Sequence, residues 1–126
     1  MAKRVSALLL AFLLLTAGTA NAGGVYYEIF PSSYRDTDGD GVGDLAGVTA
    51  SAAYLQSLGV NGIWLTPFFS GASYHKYDVL DYQSVDPSLG TLEDFDALAG
   101  EYHARGMRVM LDLVINHTSN EHPWFR

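Results

Sequence analysis

Between residues 36 and 44 the chain spaces oxygen ligands as a cation loop does. Asp36, Asp38, Asp40 and Asp44 place carboxylates at alternate positions. Val42 falls where a backbone carbonyl completes such a series, and Gly41 falls where a calcium loop turns sharply. Four carboxylates in nine residues repel one another unless a cation neutralises them, so the spacing predicts one bound Ca²⁺. The loop is not an EF-hand, because the twelfth position, a bidentate Glu there, is Gly47 here. The plain alternative is a solvated acidic loop. A second set of polar residues lies at the other end of the chain. Asp112 interrupts the apolar run Met107 to Ile115, and Asn116 and His117 follow directly. Strand alternation places Asp112 on the face of Met110 and Val114, where a carboxylate needs partners. The plain alternative is a satisfied core Asp followed by a polar loop.

The elements that carry these residues alternate in type. Val25 to Phe30, rich in aromatic and β-branched residues, reads as a strand ended by Pro31. Leu45, Val48, Ala52, Leu55 and Leu58 repeat at helical spacing, which predicts a helix over 46–58 with Gly59 as its C′ residue. Val60 to Leu65 is a second strand. Residues 68–90 read as a long loop that carries Tyr74-His75-Lys76-Tyr77-Asp78 and ends in the turn residues Asp86-Pro87-Ser88. Thr91 and Asp94 form a capping box with Asp in place of Glu, and Leu92, Phe95, Leu98 and Tyr102 give the apolar face of a second helix. Gly106 ends it. Residues 107–115 then form a third strand, apolar enough to be covered on both faces. This βαβαβ order implies an α/β fold with a parallel sheet. A doubly wound sheet and a TIM barrel both begin this way, and the missing G-x-G-x-x-G after the first strand disfavours dinucleotide binding.

Residues 1–22 carry a different signal. Lys3 and Arg4 precede an apolar run from Ala7 to Leu15, and Ala20-Asn21-Ala22 supplies small residues at a cleavage site. The pattern predicts a secretory signal peptide cut after about Ala22, hence a secreted or periplasmic protein. The run is well short of the roughly 20 residues of a membrane-spanning helix, and with no Cys there is no lipoprotein anchor. The whole chain has a net charge of −7. Without Lys3 and Arg4, five basic residues face fourteen acidic ones. That balance argues against nucleic acid as a partner.

Together the motifs resemble the N-terminal part of the catalytic barrel of α-amylase superfamily glycosidases, across residues 25–126. Val25 to Pro31 resembles the first strand of that family, and Asp36 to Asp44 its calcium loop. Asp112-Leu113-Val114-Ile115-Asn116-His117 resembles the signature at the end of the third strand. Gly62 to Pro67 and Tyr77-Asp78 add to the likeness. The resemblance implies a partial TIM (β/α)8 barrel, truncated after strand three, and an α-glucan or maltooligosaccharide substrate. It implies that His117 hydrogen-bonds the sugar at the cleavage site and that Tyr77 stacks on it. It makes Asp112 a carboxylate that holds the polar network of the site. Asn116 would serve a second calcium, as in many α-amylases, although other members lack it. His75 and Asp78 would line the same cleft. His103 and His122 carry no motif role and are expected at the surface.

The family's nucleophile and acid/base follow its fourth and fifth strands, so the resemblance places both beyond Arg126. Retaining glycosidases need two carboxyl groups roughly 5 Å apart, and the segment by itself is expected to be inactive. Exo-acting relatives typically carry an Asp two residues before the position that matches Lys76-Tyr77. Here the segment reads Ser73-Tyr74-His75-Lys76-Tyr77, which points to an open cleft and endo cleavage of α-1,4-glucans. An exo-acting α-glucosidase or oligo-1,6-glucosidase is the alternative within the family. A calcium-stabilised extracellular binding module is the alternative from another class. Such modules repeat the acidic loop, and only one copy is present here.

Overall fold

In the computed structural model, which describes residues 23–125, three strands form one parallel sheet. They are β1 (Tyr26–Ile29), β2 (Gly62–Leu65) and β5 (Arg108–Leu111), in the spatial order β1-β2-β5. Tyr26 pairs with Gly62, and Gly62 in turn with Arg108, and the three strands run in step from there. Gly62 is required at this point, because a Cβ there would lie 2.6 Å from the Tyr26 ring and 2.8 Å from the Arg108 carbonyl. The parallel sheet expected from the βαβαβ order is therefore present.

Four helices connect the strands: α1 (Pro31–Tyr34), α2 (Leu45–Ala50), α3 (Ala52–Ser57) and α4 (Leu92–Ala104). The single helix expected over 46–58 is two, broken at Ser51. The Ser51 hydroxyl donates to the Gly47 carbonyl at 2.9 Å, and its N–H bonds the Val48 carbonyl, which tightens the turn locally. The periodic residues still face inward: Leu45, Val48, Ala52 and Leu55 are all at most 1% exposed. Leu58 is an exception at 53%, since the last turn runs off the edge of the core before Gly59 reverses the chain at φ +82°. On α4 the capping box of Thr91 and Asp94 forms in both directions. Leu98 and Tyr102 are fully buried, and the Tyr102 hydroxyl donates to the Val48 carbonyl at 2.9 Å, which ties α4 to α2. Leu92, in the first turn, is exposed instead of core.

Residues 68–90 are not the structureless loop that the sequence suggested. They form an antiparallel hairpin of β3 (Phe69–Gly71) and β4 (Val79–Val85). Its alternation is real but weak, because Asp81, Gln83 and Ser84 hide it while only Val79 and Val85 are deeply buried. The third strand of the sheet is also shorter than 107–115 and stops at Leu111. Met107 and Val114 are buried, but Met110, Leu111, Leu113 and Ile115 are 39–80% exposed. A strand covered on both faces was expected; among the described residues this side of the sheet has no cover. Among the described residues no helix is long and apolar enough to cross a membrane.

This exposure has a direct consequence. Apolar surface of that extent on an open sheet edge invites association. Residues 23–126 expressed alone are predicted to bind a hydrophobic dye and to elute as aggregates, whereas a cooperative melt from a monomer would contradict the prediction.

Candidate functional site

The polar residues converge at the C-terminal ends of the three parallel strands. Asp112 follows β5 directly, and its N–H bonds the Leu65 carbonyl at 3.1 Å, which extends the pairing with β2 by one step. Its carboxylate takes two donors. The Trp64 indole N–H from β2 reaches Oδ1 at 2.6 Å, and the Tyr77 hydroxyl from the β3–β4 loop reaches Oδ2 at 2.6 Å. The partners that the sequence demanded for Asp112 are thus a strand tryptophan and a loop tyrosine. Charge-assisted bonds are worth roughly 1.5–3 kcal/mol when shielded and less where solvent reaches them. Trp64 and Tyr77 are 39% and 42% exposed, so this network orients the rings more than it stabilises the fold.

The β3–β4 loop positions its side chains through its own hydrogen bonds. Asp78 accepts from the backbone N–H of Ser73 at 3.0 Å and from the Ser73 hydroxyl, so its oxygens brace the loop. Burial pushes the Asp78 carboxyl up, but these donors outweigh it and hold the group below its ordinary range. The His75 ring stacks on Phe30, centroids 5.2 Å apart and planes within 19°, with Tyr74 edge-on to the same ring. Phe30 directly follows β1. Each of the three strand ends therefore contributes a planar or charged group on one side of the sheet.

His117 and Asn116 form a second group. Both are exposed, and the Asn116 amide lies 3.3 Å from His117 Nδ1. Tyr82 on β4 fixes this segment, since its hydroxyl donates to the Val114 carbonyl at 2.7 Å and lies 3.2 Å from the His117 carbonyl. A groove of about 630 Å³ runs beside it, lined by Tyr82, residues 113–118, Trp124 and Phe125. Asn116 and His117 share no hydrogen bond with Tyr77 among the described residues. His103 is exposed as expected, but His122 is not a surface residue. It is 6% exposed, packed edge-on to Tyr82 and against Trp124, and its Nδ1 accepts the Trp124 N–H at 3.1 Å. Aromatic partners on both sides bury a ring that has no charged neighbour in sequence except Glu121.

The acidic loop follows β1 and α1. Asp36, Asp38 and Asp40 each offer an oxygen, and the three lie within 4.8 Å of one another. Asp36 accepts three backbone N–H groups, from Gly39 at 2.7 Å, Gly41 at 2.9 Å and Asp38 at 3.1 Å. These donors, that of Gly39 foremost, hold its carboxyl below the usual range. Gly39 and Gly41 adopt φ of +85° and +91°, which glycine alone takes without strain. Asp44 stands apart from this trio. Its Oδ1 caps α2 by accepting the Gly47 N–H at 2.6 Å, and its Oδ2 accepts the N–H and hydroxyl of Thr37. The position that an EF-hand gives to Glu is Gly47 for a steric reason: a Cβ there would lie 2.2 Å from the Arg35 carbonyl. The set of hard, clustered oxygens fits Ca²⁺. Val42 is half-buried against the core, with its N–H donated to Asp40 at 2.7 Å.

A family profile described as "Alpha amylase, catalytic domain" matches residues 28–126. The chain belongs to the alpha-amylase catalytic-domain family. It is 54% identical over 104 residues to a probable alpha-glucosidase of Rhizobium meliloti, a match covering 82% of this chain and 19% of that protein. It is 52% identical over 101 residues to alpha-amylase SusG of Bacteroides thetaiotaomicron, covering 80% and 15%. Among solved structures it superposes on Eubacterium rectale Amy13B with a TM-score of 0.80 at 54% identity, covering 81% of this chain and 20% of that one. The alpha-amylase from H. orenii follows with a TM-score of 0.78 at 53% identity, covering 81% and 22%. The chain thus spans about a fifth of the length of the curated relatives it matches. As a member of this family, it supplies three neighbouring strands of a TIM-type α/β barrel and belongs with the glycoside hydrolases. The side of the sheet that carries Trp64, Tyr77 and Asp112 lies at the C-terminal strand ends, where barrels of this type hold their ligands.

Trp64, Tyr82 and Asp86 were not singled out from sequence. A signal existed for Trp64: an indole N–H on a strand needs a partner, and Asp112 lay on a neighbouring strand. For Tyr82 no comparable signal existed, because β4 itself was hidden.

The Tyr77–Asp112 bond yields a titration test. Its hydrogen bond to Asp112, then burial, raise the Tyr77 phenol from 10.0 to about 12. A raised pKa means that the folded state favours the protonated form, so the contribution is complete below pH 10 and is lost as pH rises toward 12. Burial holds the Tyr102 phenol higher still, so absorbance titration of phenolate should show a late-ionising tyrosine, ahead of Tyr102, that disappears in Tyr77→Phe. A Tyr77 that ionises with the exposed tyrosines would contradict the bond.

Proposed function

We propose that the protein to which this chain belongs hydrolyses α-glucosidic bonds of starch-type α-glucans and maltooligosaccharides by the retaining route. The observation that carries this reading is the aromatic ring of Tyr77, held by Asp112 beside the ends of β1, β2 and β5. A pinned aromatic with a polar rim suits the apolar face of a sugar ring. His117 would donate to the hydroxyls of the same sugar, and His75, stacked on Phe30, would flank it. Asp112 is not assigned as nucleophile, since both of its oxygens are engaged by donors. The reading assigns nucleophile and acid/base to residues outside this chain, about 5 Å apart. Residues 23–126 alone would then contact sugar weakly and turn nothing over.

Endo cleavage of α-1,4 bonds is favoured by His75 directly before Lys76-Tyr77, where no acid is present to grip a terminal sugar. Digestion of a maltooligosaccharide blocked at its non-reducing end tests this. Internal cleavage is expected. Glucose released from maltose, with the blocked substrate untouched, would instead support an α-glucosidase.

Calcium belongs to the same proposal. Asp36, Asp38, Asp40, the Val42 carbonyl and Asp44 would hold one ion, which supplies charge neutralisation and stiffens the connection between β1 and α2. Mg²⁺ would bind less well, because it demands octahedral geometry and keeps its waters. In the whole protein, Asp38→Ala and Asp40→Ala are expected to lower calcium affinity by calorimetry and to remove the calcium-dependent rise in Tm. Unchanged affinity would remove the site. Asn116 would serve a second ion. Residues 1–22 lie outside the described residues, and we read them as a secretory signal that delivers the protein outside the cytoplasm.

A further inference from the structure

Lys76 is the single non-glycine residue with positive φ among the described residues, at +61°. Lysine is not a residue that visits this region readily, and such strain persists only where the surroundings hold it. Here they do. The Lys76 ammonium lies 2.8 Å from Asp86 Oδ2 and donates to the Gly71 carbonyl at 2.8 Å. Both side chains of the ion pair are nearly buried, 13% and 12% exposed. Asp86 is itself fixed by the Ser88 hydroxyl at 2.6 Å and N–H at 3.1 Å, and its backbone N–H bonds the Phe68 carbonyl. The tip of the hairpin is thereby bound to the end of β3 and to the residue just after β4.

We propose that Lys76 is a positioning residue for sugar binding: its buried ammonium, held by Asp86 and Gly71, fixes the left-handed backbone turn that aims Tyr77 at Asp112. Tyr77 is the next residue, so the ψ of Lys76 and the φ of Tyr77 decide where the phenol goes. The loop's internal braces, Ser73 to Asp78 and the Lys76 N–H to the Ser73 carbonyl, close the turn but do not tie it to the rest of the fold. Tyr74 and His75 pack on Phe30 after β1, and the Lys76 ammonium adds the polar tie to the base of the hairpin. A glycine would take the backbone conformation without strain but has no ammonium to anchor it. The site thus uses an ion pair where backbone freedom alone would leave the aromatic ring loose. This inference rests on the glycosidase reading only for the substrate used to detect it.

The test uses the whole protein and four variants: Lys76→Gly, Lys76→Met, Asp86→Asn and the double Lys76→Met/Asp86→Asn. Hydrolysis of a maltooligosaccharide separates KM from kcat, and a melt is recorded for each. Lys76→Gly is expected to raise KM on the order of tenfold with kcat within about threefold, the mark of a misaimed binding group. Lys76→Gly and Lys76→Met both leave Asp86 as an unpaired buried charge, and either can fail to fold. The double variant removes that charge and is expected to fold while keeping the raised KM. A KM in Lys76→Gly and in the double variant unchanged from that of the unsubstituted protein, whatever their Tm, would overturn the proposal. The N–H resonance of Trp64 Nε1, assigned by its loss in Trp64→Phe, reads the network without substrate. It is expected to shift in Lys76→Gly, and an unmoved resonance would overturn the proposal even if the protein hydrolyses nothing. Absence of hydrolysis by the unsubstituted protein would count against the glycosidase reading alone.

Discussion

A carboxylate one residue past the end of a strand organises this side of the molecule. Asp112, half-buried at the junction of β2 and β5, takes one partner from each direction. The Trp64 donor comes from the adjacent strand, so the parallel pairing of β2 with β5 must be in register for the bond to form. The Tyr77 donor comes from a loop that starts and ends elsewhere, so that loop must be folded too. A slip of one residue in either strand would turn Trp64 or Asp112 to the opposite face and dissolve the network.

The supports of this arrangement lie in separate parts of the fold. The helices carry the core, with Leu45, Val48, Leu55, Leu98 and Tyr102 packed against Ile63 and Leu65 of β2. The hairpin of β3 and β4 carries Tyr77 at its tip and Tyr82 in its second strand, which fixes the backbone of the Asn116-His117 segment. The acidic loop lies after β1, on a different connection, and its hydrogen bonds run within itself and to the cap of α2. Its contribution is to the connection it closes, not to the chemistry of Asp112.

The sheet and most of the helical core were legible in the sequence because apolar residues repeat there at clear periods. Leu45, Val48, Ala52, Leu55, Leu98 and Tyr102 are buried as their spacing required. The hairpin was not legible, since β4 buries only its two ends and carries Asp81, Gln83 and Ser84 between them. The break at Ser51 was missed because periodicity continues through it, while the cause is a single hydroxyl turned back on the helix. His122 was placed outside because histidine carries no period of its own, and two ring contacts in space, with Tyr82 and Trp124, decide its burial. For the site, Asp112 betrayed itself by breaking an apolar run, and the family likeness named Tyr77 and His117. Their linkage was not legible: the sequence gives no distance between residue 77 and residue 112.

The central claim is that Tyr77 works as a sugar-binding ring because Asp112 holds its hydroxyl. The most direct measurement is a double-mutant cycle on KM for a maltooligosaccharide in the whole protein, with Tyr77→Phe, Asp112→Asn and the pair of substitutions together. Residues that share one bond couple, by about 0.5–3 kcal/mol in such cycles. The account predicts that each single substitution raises KM and that the double is no worse than Asp112→Asn alone. Effects that simply multiply would show that the two residues act independently and would contradict it.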